Sequence, residues 1–286
     1  MSPMRSSGKP SKPLPRIHLY EDRSCKRLDL KEIARYLAEK LGRVSVDIRA
    51  PLFYIHDEPR AKELAREFAG ARIRDPTRKD RDFEPLTAEI NLELKLLRQP
   101  EQRILGLLYD GVALRGLALK LIPEAERTQE DLHLVFTNRL FGTWDESDAR
   151  YHARVSLYSF PCLISTTGIV EAPAKPKEFY ALKQHYLALG AAAAYEELKE
   201  QFRDRFIDYD DERLTEVMKG YVMQALFYHL ISNPFCEVKT CRLYNAHWQE
   251  EVILAQLGPK ESEFCNFHSK LGASLFGKEL NAAKPT

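Results

Sequence analysis

Residues 220–268 read GYVMQALFYHLISNPFCEVKTCRLYNAHWQEEVILAQLGPKESEFCNFH. This stretch decides how the rest of the chain is interpreted. It holds two close pairs of soft or borderline metal ligands, Cys236-x4-Cys241 and Cys265-x-x-His268, separated by 23 residues. Each short pair supplies two ligands from a single turn, and the excursion lets the second pair approach from the opposite side. Those are the requirements of a closed tetrahedral zinc site, so the expectation is one structural zinc per chain, held by Cys236, Cys241, Cys265 and His268. The alternative is that the thiols are small core residues and His268 a surface side chain. His247 is a second choice for the fourth ligand, because Cys236-x4-Cys241-x5-His247 is also compact.

The same segment resembles the archaemetzincins, a branch of the metzincin-type zinc peptidases that carries H-E-x-x-H-x-x-G-x3-C-x4-C-x-M-x17-C-x-x-C. Aligning that motif on Cys236 and Cys241 puts its second histidine on His229 and its methionine on Leu243. Its last pair falls on Cys265 and His268, after an excursion four residues longer. The chain also looks close to an uncharacterised archaeal group of metallopeptidase-like proteins. The resemblance implies an α+β fold: a metzincin-like mixed sheet with packed helices and a C-terminal zinc knuckle. A strand such as LHLVF (132–136), a strand such as CLISTTGIV (162–170) and helices leading into the motif helix fit that layout.

The departures bear on chemistry. The first motif histidine falls on Ala225, the glutamate on Leu226, the glycine on Ser232, and a third histidine often found in the family on Phe235. A hydrolytic zinc needs about three protein ligands and an open position for water. One remaining imidazole does not meet that need, and Leu226 cannot act as a general base. The resemblance therefore implies the scaffold and the structural zinc without the peptidase centre, and the reading is a non-catalytic binding or assembly protein. Its alternatives are an enzyme with different chemistry in the same cleft, drawing on His229, His152, Arg154 and Glu171, or a metallopeptidase with relocated ligands. His229 is otherwise a core histidine bonded to a carbonyl or carboxylate. Tyr228 and Phe235 would make the old cleft aromatic.

Upstream of the motif, Leu214, Val217/Met218, Tyr221, Ala225 and Tyr228 form one stripe of a helix over about 211–231. Arg150, His152 and Arg154 alternate, so in a strand they share a face. Ser165, Thr166, Thr167, Glu171, Lys175 and Lys177 follow. The segment 162–170 is expected to be an edge strand onto which a protein or peptide partner adds by β-augmentation. Cys162 among Phe160, Pro161 and Leu163 reads as a buried, inert thiol. Residues 138–148 read as a loop.

Further out, Ile17–Tyr20 reads as a strand, and Leu30, Ile33, Ala34, Leu37 and Leu41 have helical spacing closed by Gly42. Val44, Val46 and Ile48 alternate as in a strand, and residues 59–69 are helix-like. This gives a flexible basic arm (1–16), an N-terminal α/β lobe (17–100) and the motif-bearing lobe (101–286). The arm holds Arg5, Lys9, Lys12 and Arg16 and no acid, which leaves residues 17–286 with a net charge of −3. The whole chain carries +1, which gives no global electrostatic argument for nucleic acid or membrane surfaces. Hydrophobic residues make up 44% of the sequence, enough for a full core. The arm has a Pro/Ser/Lys composition without the apolar core of a secretory signal, so the expected location is the cytoplasm.

Overall fold

A computed structural model describes residues 14–79, 83–190, 194–259 and 262–281. Its strands are β1 (Arg16–Tyr20), β2 (Val46–Arg49), β3 (Arg72–Ile73), β4 (Leu108–Asp110), β5 (Asp131–Thr137), β6 (Leu140–Asp145), β7 (Arg150–Arg154), β8 (Ser156–Leu157) and β9 (Cys162–Ser165). The α-helices are α1 (Leu30–Leu41), α2 (Glu58–Gly70), α3 (Thr87–Arg98), α4 (Gly111–Leu121), α5 (Gly168–Glu171), α6 (Lys177–Ala188), α7 (Ala194–Gln201), α8 (Leu214–Ile231), α9 (Gln249–Leu257) and α10 (Asn266–Phe276). They make an α+β fold around two mixed sheets, ordered β2-β1-β5-β9-β8 and β3-β4-β6-β7.

The first sheet organises the molecule. Its first four strands are parallel, and β8 runs antiparallel along β9. A parallel strand is covered on both faces, so it reads as a nearly unbroken apolar run; β5, DLHLVFT, is buried at every position. Alternate residues enter different cores. Ile17, Leu19, Leu132, Leu134 and Phe136 meet α1 and α8, while Tyr20, Val135 and Leu163 meet α2 and α4. Helix α1 starts where the Asp29 carboxylate accepts the Lys31 and Glu32 N–H groups and stops at Gly42, whose φ of 78° lies in the region glycine tolerates. From Leu214 to Phe227 every residue of helix α8 except Glu216 is buried, rather than a single stripe. It ends at Ser232, which takes φ 58°.

Several expectations change. Residues 138–148 are not a loop, because β6 occupies 140–145, paired in parallel with β4 and antiparallel with β7. The segment 162–170 is not an edge strand. Only Cys162–Ser165 is extended, it lies between β5 and β8, and all four residues are buried. The chain turns back at Gly168, where a Cβ would stand 2.4 Å from the Arg154 carbonyl oxygen. The edge strands of this sheet are β2 and β8. Of the expected arm, residues 1–13 lie outside the described residues; Arg16 already belongs to β1 and forms a two-bond ion pair with Asp131 at 2.8 Å. Each sheet also takes strands from both sides of the boundary expected near Pro100. Among the described residues, no helix is long and apolar enough to cross a membrane.

Candidate metal centre and the adjoining cleft

After α8 the chain forms a knuckle held by backbone bonds. Cys236 N–H donates to the Leu243 carbonyl, Cys241 N–H to Val238 and Tyr244 N–H to Cys241, each at 2.9 Å. Val238 N–H points at Cys236 Sγ at 3.3 Å. Opposite the knuckle, Cys265 caps α10 and His268 sits in that helix's first turn. Cys236 Sγ and Cys265 Sγ are 3.8 Å apart, and Cys265 Sγ is 3.2 Å from His268 Nδ1. The ligand atoms of Cys236, Cys241, Cys265 and His268 all lie within 4.8 Å of one another. His247 is elsewhere, exposed at the rim of the neighbouring cleft.

These distances suit zinc. A tetrahedron with Zn–S bonds of about 2.3 Å has S···S edges of about 3.8 Å, the separation found for Cys236 and Cys265. Burial pushes the Cys236 thiol up to about 12 and raises Cys241, while it lowers His268. Without a cation the Cys236 and Cys241 thiols keep their protons. A soft divalent metal would supply the charge that makes thiolates favourable here, and its binding would release those protons. Four protein ligands would leave no open position for water, which marks a structural site rather than a hydrolytic one.

The knuckle is clamped to the body by Arg242, which is 3% exposed. Its guanidinium forms ion pairs with Glu216 of α8 and with Glu263, the latter at 3.0 Å. Glu263 also accepts the Tyr36 hydroxyl of α1 at 2.8 Å. Phe227 of α8 and Phe267 stand edge-on to the His268 ring, at 5.6 and 4.9 Å between centroids.

Beside the knuckle lies a cleft of about 290 Å³, walled by the β7–β8 strands, α8 and residues 235–247. Its lining includes Arg154, Tyr158, Tyr221, Gln224, Phe235 and Tyr244. Gln224 braces it: its amide oxygen accepts the Tyr158 hydroxyl, and its Nε2 donates to the Tyr244 carbonyl at 3.0 Å. The face of α8 toward the cleft is thus Tyr221 and Gln224. Ala225 and Leu226, which occupy the motif's first histidine and its glutamate, are fully buried in the core. His229 turns away, and its Nε2–H donates to the Gln129 carbonyl at 2.9 Å. Phe235 stands at the cleft, its ring 5.7 Å from Tyr158.

The other candidates do not converge. His152 bonds Asp148 at 2.7 Å on the β6–β7 hairpin, and Glu171 accepts the Tyr209 hydroxyl at 2.8 Å. Ser165, Thr166 and Thr167 are buried and bond to Arg139, Asp22 and Asn138, beyond the C-terminal end of β5. Lys175 lies over the Phe179 and Phe206 rings. Only Arg154 of the four residues suggested for different chemistry lines the cleft. Cys162 donates to the Ser159 carbonyl, and burial pushes its thiol up to about 12, which leaves it unreactive.

One cluster is invisible in the spacing. His18 and His133 are register partners on β1 and β5, their rings stacked at 4.6 Å, and Glu126 completes a set of three ligand-type groups. Every imidazole nitrogen there already has a partner: Asp47 and Asp131 for His18, and Tyr20 and the Glu126 carbonyl for His133. The Arg49 guanidinium holds the Glu126 carboxylate. One histidine in each of two strands was the available signal, but pairing β1 with β5 required the fold.

Burial lowers the pKa of both His133 and His229. Each is held neutral in the native state, so the unfolded chain binds more protons once the pH drops below the ordinary imidazole value of about 6.5. Their contribution is complete above that value and is lost as pH falls through the depressed native values. The thermal midpoint should therefore decline from pH 7 to pH 5. A His229→Asn variant, which keeps a donor and does not titrate, should show a shallower decline; an equal slope would contradict this assignment.

Residues 14–275 match the Probable metallopeptidase family (DUF6775). No curated protein and no solved structure matches the chain.

Proposed function

The chain belongs to the probable metallopeptidase family DUF6775, and from that membership we propose that it is a zinc-binding, archaemetzincin-like protein whose cleft binds rather than cuts. The observation that carries this reading is the identity and placement of four residues. Ala225 and Leu226 are buried in the core, His229 is committed to a backbone carbonyl, and Phe235 offers a ring where a ligand would be needed. No two of these positions can donate to a common metal. A catalytic zinc would lack its ligands, and an attacking water would lack a base.

Cys236, Cys241, Cys265 and His268 hold the structural zinc in this account. The metal fixes residues 235–247, the segment that carries Phe235 and Tyr244 to the cleft. The partner site expected on 162–170 moves to β8, the edge strand that borders the same cleft. Five unpaired thiols suit a reducing cytoplasm, where we place the protein.

The zinc-loaded full chain should therefore leave a random mixture of unstructured peptides intact over long incubation, as read by mass spectrometry. Hydrolysis abolished by chelation and absent in a His229→Ala variant would overturn the reading. The relocated-ligand alternative requires a second metal; among the described residues two further groups of ligand-type side chains lie together, Asp145, Asp148 and His152 on the β6–β7 hairpin, and His18, Glu126 and His133, where binding would have to displace Arg49 and at least one hydrogen-bonding partner of each histidine.

A further inference from the structure

Arg154 brings to the cleft a charge that no ion pair neutralises among the described residues, although the Asp145 carboxylate stands near enough to feel it. The last residue of β7, it is half-buried, and its Nε–H donates to Thr143 Oγ1 at 2.9 Å. Among the described residues it forms no ion pair, and it is the one Asp, Glu, Lys or Arg side chain that lines the cleft. Rings stand across from it, with Tyr158 and Phe235 in edge contact. Immediately after it in sequence comes β8, bonded to β9 on one side and unpaired on the other. The cleft thus offers three features in one place: a cation with free guanidinium donors, an aromatic surface and an open strand edge.

We propose that this cleft takes an extended peptide segment that presents a carboxylate to Arg154 and an apolar side chain to the Tyr158–Phe235 surface. The proposal rests on the reading of the cleft as a binding groove and adds the chemistry of its occupant. A guanidinium fork recognises a carboxylate through two parallel hydrogen bonds, and the partial burial of Arg154 strengthens that contact relative to one in open water. The edge of β8 supplies main-chain bonds that align the segment. The chain's own N-terminal arm is a poor occupant, because Arg5, Lys9 and Lys12 would bring cations to a cation.

The test pans the zinc-loaded full chain against a displayed library of random peptides and remeasures the selected peptides singly. Selected peptides should share an acidic group at a fixed spacing from an aromatic or branched side chain. Changing that Asp or Glu to its amide should weaken binding about tenfold to the native protein and leave binding to an Arg154→Met variant nearly unchanged. Arg154→Lys, which keeps the charge without the fork, should fall between them. If capping the peptide's C-terminus as an amide has the same effect as amidating the side chain, the recognised carboxylate is the terminal one; the shared chemistry stands in either case. Selected peptides that tolerate loss of every carboxylate would overturn the role of Arg154 and leave the groove reading in place. Selection of no peptide at all would overturn both.

Discussion

Replacing Cys241 with serine is expected to unfold the C-terminal third of the protein, not merely to loosen it. Structural zinc contributes roughly 10 kcal/mol or more in small sites, comparable to the whole stability of an ordinary domain, about 5–15 kcal/mol. Cys241 is 1% exposed and sits among side chains of the main core, including Leu226 and Leu243. The variant loses a thiolate ligand and must also bury a hydroxyl there. The knuckle it breaks is joined to α8 and α1 through Arg242, Glu216, Glu263 and Tyr36. Loss of the metal should therefore propagate into the central helix. Circular dichroism should show lost helix at room temperature, and chelation of the native protein should reproduce the change slowly. A Cys162→Ser substitution provides the contrast: it alters an equally buried thiol that is not one of the four grouped ligands and should cost only a few kcal/mol. If Cys241→Ser unfolded at the native temperature with zinc retained, the metal would not be the source of the stability.

The second large effect is expected at Glu93, which no sequence pattern marks. Its carboxylate is fully buried and accepts Arg72 Nε at 2.8 Å and the Tyr109 hydroxyl at 2.6 Å, with Arg139 Nη1 3.1 Å away. Arg139 itself lies over the Phe68 ring at 4.5 Å. One carboxylate thus holds two buried guanidinium groups and ties α3 to β3, β4 and the start of β6. Glu93→Gln keeps the shape and removes the only negative charge in that group. Breaking a buried ion pair by neutralising one partner costs about 3–5 kcal/mol, because the remaining charges stay desolvated. Urea denaturation should show a loss of that size, and a change below 1 kcal/mol would mean that solvent reaches the two arginines. Because this cluster is remote from the metal, zinc content should stay at the native level, which separates its failure from that of Cys241→Ser.

Much of this arrangement was readable beforehand, and the reason differs from element to element. The stripe of α1 and the LHLVF strand were legible because burial on one face or on both writes a period directly into the residues. The grouping of Cys236, Cys241, Cys265 and His268 was legible because two side chains on one turn must be close in sequence. Helix α8 was harder. Its residues are buried on all sides, so periodicity could not say which face meets the cleft, and the motif register favoured Ala225 and His229 over Tyr221 and Gln224. The histidine pair of β1 and β5 and the Arg72–Glu93–Arg139 cluster depend on contacts between distant segments. The position of β9 inside the sheet depended on Ser156 and Leu157, two residues too few to announce a strand. The apolar run 162–165 was itself a warning, since an edge strand would be expected to alternate.

The most direct test of the account is the zinc content and zinc K-edge absorption spectrum of the protein purified from its native source without added metal. The account predicts one zinc per chain, with a first shell of three sulfurs at about 2.3 Å and one nitrogen at about 2.0 Å. A shell of nitrogen and oxygen atoms with an exchangeable water, or two zinc ions per chain, would contradict it.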